Sequence, residues 1–148
     1  MSYYIARETP LEFEAAENIR EKIERLEHYR SKSTVVNPDV GDVDVFGMMV
    51  DANGSYVNYL RVIDGAVVHG ITIELKKRLD ETDQEMLQLA IAELRQRYQS
   101  FAAEVIVPFD PGIEVPGVSF TIPQRGDKKK LLELCERNAQ YYMHDKQK

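Results

Sequence analysis

The 148-residue chain has the length of about one domain and an ordinary globular composition, 43% apolar and 30% charged. Its 19 basic and 25 acidic side chains leave a formal charge of −6, which argues against a nucleic-acid-binding coat over the whole surface and leaves room for a local basic patch. No apolar run approaches the roughly 18 residues of a membrane span, Tyr3-Tyr4-Ile5-Ala6 is too short for a signal-peptide core, and the single Cys135 excludes an internal disulfide and any multi-thiolate zinc site. These features predict a cytoplasmic, soluble chain with no membrane partner.

Residues 11–30 predict an amphipathic helix. Phe13, Ala16, Ile19, Ile23 and Leu26 recur every three or four residues, and Glu14, Glu17, Arg20, Glu21 and Arg25 fill the other faces. Pro10 breaks the chain just before it, and residues 1–9 are expected to be the end of an earlier helix. Such a stripe has to pack on the rest of the chain, on a second helix or on a partner. Residues 31–42 carry Asn37-Pro38 and Gly41 and no helical period, so they form a linker. The domain boundary is placed there, giving a helical segment over 1–34 and a folded domain over 35–148.

Three strands follow, over 43–50, 56–63 and 66–75. Asn53-Gly54 and Asp64-Gly65 are tight-turn pairs that tolerate positive φ, so the three runs predict an antiparallel meander. Residues 81–101 switch to helical period, with Leu87, Ala90, Ile91, Leu94, Tyr98 and Phe101 on one face and Thr82 and Glu85 spaced as a capping box. Short strands are expected over 104–109 and 117–122, joined by a proline-bearing link with no helical pattern. A last helix starts near Asp127 and carries Leu131, Leu134, Cys135, Asn138, Ala139 and Tyr142 on one side. The expected class is α+β, with the order β-β-β-α-β-β-α after an N-terminal helix. Three antiparallel strands followed by a crossover helix resemble the opening of a ribonuclease H-like fold. A parallel crossover usually takes a dozen residues or more, so the fifth strand either pairs differently or crosses in an extended segment.

A ribonuclease H-type nuclease clusters about four carboxylates, or carboxylates with a histidine, around two divalent metals. The first carboxylate belongs in the middle of the first strand. That centre is Phe46-Gly47-Met48, with Asp44 at one end of the run and Asp51 at the other. Asp51, Glu74 and Asp110 are the acids that could converge, but strand ends and turns carry such residues routinely. A degenerate nuclease fold therefore fits better than an active one, and no catalytic residue, metal site or cofactor is assigned. His28, His69 and His144 lack the spacing that puts two ligands on one helix face. Cys135 sits on an apolar stripe and reads as core. The most site-like segment is Arg125-Gly126-Asp127-Lys128-Lys129-Lys130, a turn entering a helix start with four cations. Arg125, Lys128, Lys129 and Lys130 are candidate contacts to DNA or another anion, since lysines in a first turn oppose the helix dipole. Net charge by segment agrees. Residues 1–34 (6 basic, 7 acidic) sum to −1, 35–123 (6 and 14) to −8, and 124–148 (7 and 4) to +3.

The run Leu11-Glu12-Phe13-Glu14-Ala15-Ala16 with Ile19-Arg20 and Ile23 resembles the UVR motif, a short helical hairpin shared by the B and C subunits of bacterial excinuclease ABC. Gly41-Asp42-Val43-Asp44-Val45, Pro123-Gln124-Arg125-Gly126-Asp127-Lys128 and Glu136-Arg137-Asn138-Ala139 are similar to the segment that follows this motif in the C subunit family, UvrC. The similarity spans nearly the whole chain. It implies nucleotide excision repair, in which the C subunit joins the B subunit on damaged DNA and makes the two incisions. It also implies a central position, between a GIY-YIG nuclease and an active ribonuclease H-like nuclease. By this resemblance Phe13, Glu14, Ala16, Ile19, Arg20 and Ile23 would contact the B subunit, with Phe13, Ile19 and Ile23 as apolar anchors. Residues 1–148 hold neither a GIY-YIG sequence nor a second nuclease motif, so this segment is expected not to cut DNA by itself. Only residues 1–9 precede the turn, which would shorten the hairpin and weaken its docking; the exposed stripe could then pair with its own copy. The alternatives kept open are a stand-alone metal-dependent nuclease and a DNA-binding module that does not cut.

Overall fold

The computed structural model describes residues 5–8, 37–76 and 81–146. The predicted helix over 11–30 and its candidate residues Phe13, Glu14, Ala16, Ile19, Arg20 and Ile23 lie outside these. Strand β1 covers Ile5–Glu8, where the end of a helix was expected. It pairs antiparallel with the strand at 66–76, in the register Ile5↔Leu75 and Glu8↔Ile73, so hydrogen bonding to an existing sheet edge fixes these residues as extended chain.

The meander forms as anticipated: β2 (Val43–Val50), β3 (Gly54–Ile63) and β4 (Ala66–Lys76). Its two turns differ in mechanism. Asp64 and Gly65 have φ of 52° and 76°, the left-handed pair that a two-residue hairpin demands. Gly54 instead opens β3, and neither Asn53 nor Gly54 has positive φ. The first turn is closed by a side chain, with Asp51 Oδ1 accepting from the backbone N–H of Asn53 at 2.8 Å and of Gly54 at 3.1 Å.

Helix α1 (Asp83–Arg97) has the predicted reciprocal cap: Glu85 N–H donates to Thr82 Oγ1 and Thr82 N–H to Glu85 Oε1. It ends earlier than its apolar period suggests. Gln99 turns left-handed at φ 52° and Ser100 N–H closes on Arg95 O, so Phe101 leaves the helical register and is 88% exposed instead of joining the apolar face.

Strand β5 (Glu104–Ile106) pairs parallel with β2, and β6 (Ser119–Thr121) pairs parallel with β5. The fifth strand of the predicted order therefore crosses over through an extended, helix-free connection over 107–118. Helix α2 (Asp127–Lys146) closes the fold. The sheet order is β1-β4-β3-β2-β5-β6.

Period-two alternation sorts the sheet residues onto two faces. Phe46, Met48, Val57, Tyr59, Ile71, Ile73 and Leu75 pack with Leu87, Ala90, Ile91 and Leu94 of α1. Val43, Val45, Leu60, Val62 and Ile106 pack with Leu131, Leu132 and Cys135 of α2. The two helices thus cover opposite faces of one sheet. No described helix is long and apolar enough to cross a membrane.

Candidate functional site

The middle of β2, which carries no carboxylate, is closed against α2. The side-chain direction of Gly47 points at the backbone of α2. A Cβ there would stand 2.6 Å from Glu136 N, 2.8 Å from Cys135 C and 2.9 Å from Cys135 Cβ. Two bonds of the Cys135 thiol accompany this close approach, one to Asn58 O at 2.8 Å and one to Val45 O at 3.5 Å. Full burial pushes the thiol pKa well up, so Cys135 is a core residue and not a nucleophile.

The four acids have four different environments. Asp44 is fully buried on the α1 face. Its Oδ2 accepts from Arg95 Nη1 at 2.7 Å and Ser100 Oγ at 2.6 Å, and its Oδ1 accepts from the Tyr59 hydroxyl at 2.9 Å. Burial and the Asp44 charge together push the Tyr59 hydroxyl pKa far up. Asp51 caps its turn and accepts from the Tyr56 hydroxyl at 3.2 Å. Glu74 is buried on β4, directly opposite Tyr56 in the register. Burial first, then the charges of Glu74 and Asp51, push Tyr56 up to about 12. Asp51 and Glu74 are therefore drawn together around one tyrosine on the α2 face. Asp110 is not with them; it sits beside the first turn of α1, its carboxylate accepting from Gly112 N–H and its carbonyl from Gln84. Among the described residues no three His, Cys, Asp or Glu side chains are placed to hold a metal ion.

His28 lies outside the described residues, and the other two histidines sit on different elements. His144 is exposed on α2. His69 lies opposite Arg61 in the β3–β4 register, its ring 4.6 Å from that of Tyr98. Burial and then Arg61 hold its pKa below the ordinary value.

Of the four cations of the basic turn, Arg125 and Lys130 are exposed and Lys128 and Lys129 are half-buried. Lys128 folds back onto the sheet, its Nζ 2.7 Å from Glu104 Oε2, which also accepts from Thr121 Oγ1. Arg125, Lys129 and Lys130 make no ion pair or side-chain hydrogen bond with a described residue. A cavity of about 390 Å³ lies between this turn and the 3-10 turn Pro38–Val40. Asp39 and Asp127 face Arg125 and Lys128 across it, so its lining charges cancel. The side chain of Asp127 is held by Asn37 Nδ2 at 3.0 Å.

Two features escaped sequence reasoning. Asp44 read as a strand-end acid, yet it is the centre of a buried four-residue network; its partners lie 15, 51 and 56 positions away, so only tertiary structure brings them together. The glycine in mid-strand was legible as a missing carboxylate but not as a contact point for helix backbone.

A meander extended by parallel strands, with one helix on each face, defines a ribonuclease H-like domain. The chain belongs to the UvrC Ribonuclease H-like domain family, which matches residues 42–146. It is 48% identical over 133 residues to the UvrABC system protein C of Flavobacterium psychrophilum, covering 89% of this chain and 22% of that protein. It is 48% identical over 139 residues to the UvrABC system protein C of Bacteroides fragilis, covering 93% and 23%, and 44% identical over 139 residues to that of Porphyromonas gingivalis, with the same coverage. The chain thus spans a little under a quarter of the length of the curated relatives it matches. No solved structure matches it.

Proposed function

We propose that this domain is a non-cleaving scaffold of the excinuclease C subunit, acting in nucleotide excision repair in the cytoplasm. It docks the B subunit through residues 11–30 and spaces the two incision nucleases on damaged DNA. The observation that carries this reading is Gly47, where α2 backbone occupies the place a metal-binding carboxylate would need. Two-metal hydrolysis requires ligands converging on a cavity open to a phosphodiester. Asp44 is instead consumed by Arg95, Ser100 and Tyr59, and Asp110 is on the other face from Asp51 and Glu74. A scaffold needs rigidity and an apolar anchor, and the Phe13, Ile19 and Ile23 stripe supplies the anchor by its spacing, with Glu14 and Arg20 at its rim and Ala16 allowing close approach.

The test is calorimetric titration of the UVR helices of the B subunit into the full chain. Saturable binding that Phe13→Ala weakens by about 2 kcal/mol or more is the expected result. Absent binding, or an affinity indifferent to Phe13, refutes the docking role. Magnesium- or manganese-dependent DNA cleavage that Asp51→Asn abolishes would restore the nuclease reading.

A further inference from the structure

Four cations in the described part of the domain are engaged. Arg95 binds Asp44, Lys128 binds Glu104, Arg97 pairs with Glu93 four residues earlier, and Arg61 donates to Tyr98 O. The unengaged ones are not scattered. Apart from Lys76 at the end of β4, they are Arg125, Lys130 and Arg137, all on α2 or the turn that enters it, while Lys129 makes no ion pair but lies within electrostatic reach of Glu136.

The exposed positions of α2 are spaced to continue this row. Lys130, Glu133, Arg137, Tyr141 and His144 follow one another at steps of three and four, so they share one solvent face. Tyr141 is 66% exposed, whereas its neighbour Tyr142 turns inward to within 6.0 Å of the Tyr56 ring. Lys130 and Arg137 stand seven residues apart, about 10.5 Å at 1.5 Å per residue. That is close to the axial rise of three phosphates on one strand at about 3.4 Å each. Lys129 and Lys130, which unlike Lys128 have no ion pair across to the sheet, also run against the helix dipole in the first turn.

We infer that the solvent face of α2 is a nucleic-acid contact surface, with Arg125, Lys130 and Arg137 on the phosphates of one strand and Tyr141 against a sugar or base. This rests on the reading of the domain as part of a DNA-repair subunit. It shifts the candidate contact away from Lys128 and lengthens it from a helix start to a helix face. An exposed tyrosine beside a row of cations suits nucleic acid, in which every phosphate is followed along the strand by a flat base on which the ring can stack. Glu133, in the middle of the row, opposes binding.

The experiment is fluorescence anisotropy with a labelled oligonucleotide, single-stranded and duplex, at about 50 mM and 200 mM salt. The full chain should bind, and Lys130→Glu with Arg137→Glu should weaken binding about ten-fold or more and lower the slope of log K against log salt by about 2. Glu133→Gln should tighten it, Tyr141→Ala should weaken it several-fold, and Lys76→Glu, the control away from α2, should change it less than two-fold. All these positions are exposed, and an unchanged melting temperature shows that folding is intact. Absent wild-type binding, an unaffected double variant, or an equal effect of Lys76→Glu overturns the inference. Polyglutamate competing as well as the oligonucleotide does so too, in favour of an acidic protein partner. Binding to the B subunit is read separately, so loss of one result leaves the other standing.

Discussion

Asp44 is the point at which a single substitution should do the most damage. Its carboxylate is fully buried and accepts three hydrogen bonds between 2.6 and 2.9 Å. Replacing it with alanine leaves the Arg95 guanidinium without its counter-charge and the Tyr59 hydroxyl, also fully buried, without its acceptor. Breaking a buried pair by removing one partner costs about 3–5 kcal/mol. The Arg95 side chain is 14% exposed and can reach water in part, which places its share at the low end. A stranded buried hydroxyl adds about 1 kcal/mol or more. Asp44→Ala should therefore lose about 4 kcal/mol, a large part of the ~5–15 kcal/mol that holds a typical domain folded. Urea denaturation followed by circular dichroism measures this directly. Asp44→Asn keeps the shape but turns an amide N–H₂ toward Arg95, and should lose about 2–3 kcal/mol. Adding Arg95→Met to Asp44→Ala should recover part of the loss, since it removes the uncompensated charge. A loss below about 1 kcal/mol for Asp44→Ala would mean that the network is not made in solution, and the account of this face would fall.

Three further outcomes are expected. Gly47→Ala should destabilise by about 1–3 kcal/mol despite the usual gain on replacing a strand glycine, because helix backbone at 2.6 Å has to move; a neutral result in thermal melting would deny the close approach. His69 has a folded-state pKa below its unfolded value, so the unfolded chain takes up a proton first as pH falls. Its stability contribution is present above about pH 6.5 and is lost below it, and melting temperatures between pH 7.5 and 5.5 should fall less in His69→Gln. Tyr56 has the opposite sign: the unfolded phenol ionises near pH 10 and the folded one at about 12. Stability should decline across that interval, and phenolate absorbance should show one fewer late-titrating tyrosine in Tyr56→Phe.

Local rules made the meander, both flanking helices and the Thr82–Glu85 cap legible, because each depends on residues close together in sequence. The inward residues of α2 also follow from period alone. The sequence misleads where the chain leaves one pattern before its apolar period ends. Phe101 fits the α1 stripe by spacing, but Gln99 takes a left-handed turn and ends the helix first. The Asn53-Gly54 pair resembles a two-residue turn, but the Asp51 carboxylate offers the backbone a competing set of bonds one residue earlier. Strand β1 was hidden for a different reason, since four residues acquire strand character only from the edge they join. The Asp44 network and the engagement of Lys128 by Glu104 are long-range pairings, to which period and turn rules are blind.

The contact between Gly47 and α2 also has a historical side. A helix lying this close to a strand bars a carboxylate from this position, because an aspartate at position 47 would first have to push Cys135 and Glu136 off the sheet. Retracting the helix without the aspartate leaves a void, and adding the aspartate without retracting the helix leaves a clash. Each change is harmful alone, so the packing works as a ratchet that holds glycine at this position.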